Sequence, residues 1–168
     1  MTDTTPNEGA AVAAPEVNQA DPLAIFATSP KEKEGVTVDI EHPTTGEVLM
    51  KFRVARFGGS NSPKIIRVER ELKSKLTQGQ RRAIDAGGGD PEVVQRLNRQ
   101  VFVRVSVLGF EPVNDVLRER YPAKDGAEAH PVVDQLFVDY PGMYDAVSSL
   151  ATDEEKYSAA EQGDDAKN

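Results

Sequence analysis

The chain has 168 residues, 38% of them hydrophobic and 29% charged, which is enough for one domain with a modest core and too apolar for disorder throughout. It contains no cysteine, so disulfide frameworks, thiolate metal sites and thiol nucleophiles are excluded together. No stretch nears the roughly 18 apolar residues of a membrane span, and the polar, acidic start lacks the basic and apolar regions of a signal peptide, so the interior of a cell is the expected setting.

Residues 1–20, MTDTTPNEGAAVAAPEVNQA, show no apolar periodicity and cannot offset their ordering entropy by burial, so they are expected to be a disordered tail. The next segment, DPLAIFATSP, brings Leu23, Ile25 and Phe26 together ahead of a polar KEKEG turn, as a short lead-in that docks on the core. From Val36 the pattern has period two. Val36, Val38 and Ile40 share one face, HPTTGE is a turn, and Val48, Met50, Phe52 and Val54 then alternate with Leu49, Lys51, Arg53 and Ala55. This predicts a β-hairpin within residues 36–57, closed by the loop Gly58-Gly59-Ser60-Asn61-Ser62.

Pro63 opens a helix whose stripe is Ile65, Val68, Leu72 and Leu76. The pattern weakens through Gly79, and Gly87-Gly88-Gly89 ends the helix near residue 86. Asp90-Pro91-Glu92 has the order of N-cap, N1 proline and first-turn acid, and it begins a second helix to residue 108 with the stripe Val94, Leu97, Val101, Val105 and Leu108. Val101 to Leu108 is also β-branched enough to suit a strand. Residues 109–131 read as a connector with at most one short helix around Val113 to Tyr121. Two short helices follow at 131–139 and 141–153, divided at Asp139-Tyr140-Pro141, and residues 158–168 read as a disordered acidic tail. The fold class is therefore α+β: an N-terminal β-hairpin followed by a mostly helical bundle of about four helices, forming a single domain over residues 21–157.

Charge is segregated along this plan. Ten basic residues face two acidic ones over residues 51–82, between a stretch of nine acidic against two basic over 1–50 and one of fourteen against five over 111–168. The basic block coincides with the first helix, where Lys64, Arg67, Arg70, Lys73 and Lys75 lie off the apolar stripe. It reads as a solvated helix face. Contact with an acidic partner or with nucleic acid remains open, although only Phe52 and Phe57 are available there to stack on bases.

The usual catalytic and ligand-binding patterns find no anchor. His42 and His130 each precede a proline, stand apart from other metal-ligand types at helical spacing, and read as turn residues. Asp139, Asp145, Asp153 and Glu154 fit caps and surface, as expected near helix starts. Gly87-Gly88-Gly89-Asp90-Pro91 lacks the ending of a phosphate-binding loop, and Asp90 would repel an anion. The expectation is a non-enzyme without cofactor or metal. The aromatics are more informative, because Leu136, Phe137, Tyr140, Met143 and Tyr144 crowd two short helices. They form the candidate partner-binding face, with Leu136 and Val147 expected in the core and at least one of the two tyrosines at the surface.

Taken in order, DPLAIFATS, KEKEGV, the hairpin ending FRVARFGG, a basic helix, a valine-rich helix and the closing VVDQLFVDYPGMYDAVSSLATDEEKY resemble tail assembly chaperones and related small tail proteins of long-tailed bacteriophages. The resemblance runs from Asp21 to Tyr157. It departs from the family at Glu155-Lys156-Tyr157, where an Asn-Phe ending is common, and at Gly109-Phe110-Glu111-Pro112, where a tryptophan often stands. What it implies is a protein of the host bacterial cytoplasm that binds the tape-measure protein, and possibly the tail-tube protein, during tail morphogenesis. The alternatives are a structural tail protein retained in the virion and, from the basic segment 51–82, a nucleic-acid-binding module.

Overall fold

The hairpin forms with its expected alternation. In a computed structural model, which describes residues 30–157, a short helix α1 (Pro30–Glu34) leads into β1 (Val36–Glu41), and β1 pairs antiparallel with β2 (Val48–Val54) in the register Val38 to Phe52 and Ile40 to Met50. The turn between them is fastened by His42, whose Nδ1 accepts the N–H groups of Thr44 and Thr45, each at 3.2 Å. The expectations for residues 1–29 and 158–168 lie outside the described residues.

The first predicted helix, 63–86, is instead two helices. A 3₁₀ turn (Gly59–Asn61) opens α2 (Ser62–Ser74), and α3 (Gln78–Asp85) starts afresh at Thr77. The cause is a capping box: Thr77 Oγ1 accepts the Gln80 N–H at 3.3 Å, and Gln80 Oε1 accepts the Thr77 N–H at 3.0 Å. This reciprocal pair satisfies helix-start donors and so favours a new N-terminus over continuation. The second predicted helix is α4 (Pro91–Ser106), capped by Asp90, whose carboxylate accepts the Glu92 N–H at 2.9 Å.

The larger correction follows α4. The helix does not reach Leu108, and the connector holds strands besides its expected short helix, because at Val107 the backbone turns extended and runs without a loop into β3 (Val107–Pro112). β3 pairs antiparallel with β2, placing Phe110 opposite Phe52 and Pro112 opposite Met50, and α5 (Asp115–Arg120) then leads to the two-residue β4 (Lys124–Asp125) on its far side. The sheet thus has four antiparallel strands in the order β1-β2-β3-β4, and the hairpin is half of it. Gly109 lies against β4 closely enough that a Cβ there would push the exposed Asp125 carboxylate aside. A 3₁₀ turn (Gly126–Glu128), α6 (Ala129–Asp139) and α7 (Pro141–Thr152) follow, and a last 3₁₀ turn (Glu155–Tyr157) closes the described chain.

One sheet face is solvated. It carries Thr37, Asp39, Lys51, Arg53 and Glu111, with Arg53 paired to Asp125 at 3.1 Å. The other face, with Val38, Met50, Phe52, Val54 and Phe110, packs on Phe102 and Val103 of α4, Val133, Leu136 and Phe137 of α6, and Val147 and Ala151 of α7. A second cluster, Val68 and Leu72 against Leu97, Val101 and Val105, joins α2 to the opposite side of α4. Phe57 packs against both clusters.

Two polar assemblies hold these parts together. Arg56 donates to the Glu32 carboxylate at 2.8 Å and to Glu154, Ser60 Oγ donates to the same Glu32 carboxylate at 2.6 Å, and Asn61 Nδ2 reaches the Glu32 carbonyl at 3.1 Å. The Ser60 hydroxyl, and after it Arg56, hold the Glu32 carboxyl below its ordinary value against the opposing effect of burial. KEKEG is thus an anchored helix with one buried acid. At the α4–β3 junction three successive carbonyls are each met from elsewhere: Val105 O by Lys64 Nζ at 2.8 Å, Ser106 O by Ala55 N at 2.7 Å and Val107 O by His130 Nε2 at 3.2 Å. Only the Ser106 hydroxyl, among the described residues, is a buried side-chain polar atom without a hydrogen bond.

Candidate functional site

A concavity with an apolar floor lies where α2, α4 and α7 diverge. It measures about 520 Å³. Phe57, Ile65, Val101, Phe102 and Tyr144 form its apolar part, while Glu69, Asn98, Asp145, Ser148, Ser149 and Thr152 supply polar atoms around it. This combination of an apolar floor and a few hydrogen-bonding groups is typical of ligand and peptide sites, whose volumes run from about 300 to 1,000 Å³.

Each wall follows from local sequence. α7 begins at Pro141 and carries Val147 and Ala151 into the main core, so Tyr144, three positions before Val147, and Ser148, three before Ala151, border that face and line the cleft beside α4. α4 has apolar residues on two sides, and Val101 and Phe102 reach the cleft between its two packed faces. Phe57 is held by its own backbone, which donates to Ala151 O at 2.8 Å and ties the post-hairpin loop to α7. Tyr144 stands edge-on to Phe102 (5.6 Å, 85°) and to Phe137 (5.5 Å, 61°). Burial pushes its phenol above the ordinary value, with Asp145 adding to the shift and Arg99 opposing it, so the hydroxyl enters as a neutral donor and acceptor.

The five residues of the predicted partner face are not one surface. Leu136 and Phe137 are 1% and 2% exposed, because α6 turns them against the sheet, and Phe137 stacks 5.8 Å from Phe52. They support the site from beneath and present nothing to a partner. Met143 and Tyr144 are half-buried against the same core, and of these two Tyr144 lines the cleft. Tyr140, 44% exposed at the α6–α7 junction, faces solvent. Tyr140 lies near Tyr121, whose phenol is raised by burial above all.

Phe57, Ile65, Val101 and Phe102 escaped the sequence reading as site residues because they register there as strand-end, helix-stripe and core positions. The available signal was the doubled apolar pattern of α4, in which Val101-Phe102-Val103 is continuous and too wide for a helix with one buried stripe. A second surface feature belongs to α2 and α3. Arg67, Arg70, Arg81 and Arg82 are exposed, and Ile66, 58% exposed, stands among them. Among the described residues no His, Asp or Glu cluster is arranged to hold a metal ion, and no helix is long and apolar enough to cross a membrane. Compared with protein-family models, with curated proteins and with solved structures, the chain matches none.

Proposed function

We propose that this chain is a non-catalytic binding module that shelters an apolar helical segment of a partner in the α2–α4–α7 cleft, acting as a tail assembly chaperone for the tape-measure protein of a long-tailed bacteriophage. The cleft carries the first part of the reading. An apolar floor between helices, bordered by side-chain amide, hydroxyl and carboxylate groups, suits the helix-in-groove mode, in which apolar residues at every third or fourth position enter and backbone ends meet polar groups. The resemblance of residues 21–157 to tail assembly chaperones supports the second part and names the client. Exposed Tyr140 lies at the α6–α7 junction and extends the same reading beyond the cleft.

The test is co-expression of the tape-measure protein with the full chain or with its Ser149→Arg variant. Ser149 is an exposed cleft residue whose enlargement blocks entry without touching the core. The wild-type chain should raise the soluble yield of the tape-measure protein and co-purify with it, and the variant should lose both with an unchanged melting midpoint. Equal yield with and without the chain overturns the assignment of client. Retention of the protein in purified, mature particles favours a structural tail protein instead. The exposed arginines of α2 and α3 favour a nucleic-acid reading, which nanomolar, sequence-dependent retention of DNA or RNA at about 0.15 M salt would promote.

A further inference from the structure

Two neighbouring isoleucines of α2 line different concavities. Ile65 belongs to the cleft, whereas Ile66 lines a separate groove of about 360 Å³ against α3, with Arg70, Lys73, Ser74 and Arg81, and Glu69 borders both. Ile66, Arg70 and Lys73 follow at the four- and three-residue steps that keep side chains on one helix face, and Arg81 joins them from α3. The cations of this groove are held in two ways. Lys73 bonds Glu69 at 2.8 Å and Asp85 at 3.1 Å, which ties α2 to α3, and the Ser74 hydroxyl donates to Glu71 O at 2.6 Å. Arg70 and Arg81 are exposed and have no carboxylate partner among the described residues, and the same holds for Arg67 and Arg82 beside them. Elsewhere in the fold Arg53, Arg56, Arg99 and Arg104 each hold a carboxylate. The groove thus joins two free guanidiniums to an exposed aliphatic side chain.

We propose that the α2–α3 groove docks an acidic protein segment, whose carboxylates meet Arg70 and Arg81 and whose apolar side chain covers Ile66. This surface is separate from the cleft and does not depend on the identity of the cleft's client. Charge complementarity names the occupant's sign, and the type of cation names its chemistry. A guanidinium presents a planar fork that matches a carboxylate two bonds at a time, and arginine is enriched at protein interfaces where lysine is depleted. Ile66 then separates a protein from a nucleic acid, since a phosphate backbone offers it little apolar surface and no aromatic ring lines the groove to stack on a base. The net charge of −8 also opposes a long polyanion. A short acidic segment feels mainly the local arginines, because exposed charges more than about 10 Å apart are largely screened at 0.1 M salt.

The test uses a fluorescent synthetic peptide in which aspartate and glutamate flank a pair of leucines, titrated by anisotropy into the full chain at about 0.05 M salt. Two further probes are the same peptide with serines for the leucines and a single-stranded oligonucleotide of equal charge. The leucine peptide should bind more tightly than either, and added salt should weaken it. The double variant Arg70→Gln, Arg81→Gln should weaken it about tenfold, since two exposed charge pairs are lost. Ile66→Ser should weaken the leucine peptide and leave the serine peptide unaffected. Both variants alter exposed side chains and should melt with the wild type. Ser149→Arg, which blocks the cleft, should leave this binding as it is, so that failure of the groove and failure of the cleft are told apart. Equal binding of the serine peptide, tighter binding of the oligonucleotide, or binding lost through Ser149→Arg and kept in the arginine variant overturns the proposal. Self-association of the wild type that the arginine variant abolishes assigns the face to a second copy and overturns it as well.

Discussion

On the sheet side of α4, aromatic rings carry the packing: Phe110, Phe52, Phe137 and Phe102 follow one another at centroid separations of 6.2, 5.8 and 6.3 Å, and the sheet, α6 and α7 all contribute. On the α2 side, five aliphatic residues from two helices make up the buried cluster, and α3 adds the half-buried Ile84 and no buried residue. The two regions share α4 and Phe57, yet they differ in what holds them. The first brings together segments far apart in sequence around large side chains, whereas the second is a helix pair with a charged exterior. The cleft opens along the seam between them. The candidate cleft therefore has one wall built on aromatic side chains and the other, α2, on aliphatic ones.

The difference can be broken most visibly from the aromatic side. Phe137→Ala should lower stability by about 4 kcal/mol, since a buried ring is lost and its cavity is lined by Phe52, Phe102 and Tyr144, which cannot collapse together. Leu72→Ala in the second cluster should cost about 2–3 kcal/mol, because α2 can settle toward α4. Urea titration of both variants measures the gap. Equal losses would mean that the two clusters unfold as one unit of uniform packing.

Arg56 tests what ties the regions to α1. Its side chain is 18% exposed and that of Glu32 11%, and Ser60 and Asn61 complete the set. Arg56→Met should cost about 2–3 kcal/mol, less than the roughly 3–5 of a fully buried pair, because Glu32 keeps its bond from Ser60. The double variant Arg56→Met, Glu32→Met should recover part of that loss, since no buried charge is then left unpaired. A double variant worse than the single would show that the carboxylate is held by the Ser60 hydroxyl and N–H alone.

A smaller effect is expected at the end of the described chain. The Tyr157 hydroxyl donates to Val54 O at 3.0 Å, and burial raises its pKa to about 12. Tyr157→Phe keeps the ring and removes the donor, so thermal denaturation should show a loss of about 1 kcal/mol. A neutral result would mean that Val54 O is satisfied without it.

How much of this was legible in the sequence depends on whether the cause was local. The hairpin, the Asp90 cap of α4 and the Pro141 start of α7 each rest on residues within a few positions, and their periodicity or cap chemistry shows directly. The capping box at Thr77 was equally local, but the apolar stripe running through Leu76 concealed it. The switch from α4 to β3 is not local. Val107 to Pro112 becomes a strand because β2 lies beside it and because Lys64, Ala55 and His130, from three different segments, satisfy the carbonyls at the junction. Glu32 reads as a residue of a polar turn for the same reason: the Arg56 and Ser60 partners that bury it are distant in sequence. The candidate face contained two residues that are core, because α6 is covered by a sheet whose third and fourth strands periodicity did not reveal.

The junction also supplies the mildest test, a pH dependence that links the two regions through α4. Lys64 comes from α2 and His130 from α6, and both meet carbonyls at the end of α4, with Arg104 adjacent and Asp134 lining the same small recess as His130. A carbonyl only accepts, so the half-buried imidazole carries its proton on Nε2. Burial is the main influence holding the His130 pKa below its ordinary 6.5; the Val107 carbonyl opposes this, and Lys64 and Arg104 reinforce it. The unfolded chain therefore binds this proton at higher pH than the folded one, so stability should begin to fall as pH drops through 6.5 and stop falling once the folded ring is protonated as well. Glu32 acts in a lower window. Its lowered carboxyl contributes stability above its ordinary 4.5 that is lost as pH falls through its folded-state value. Melting midpoints between about pH 8 and pH 5 separate the two groups, because histidine titrates within this range and Glu32 below it. His130→Gln retains a donor for Val107 O and has nothing to titrate, so its midpoint should vary less over that range than the wild type's, while the lower limb from Glu32 persists. An unchanged slope in His130→Gln would place the dependence on other groups and leave the junction as packing alone.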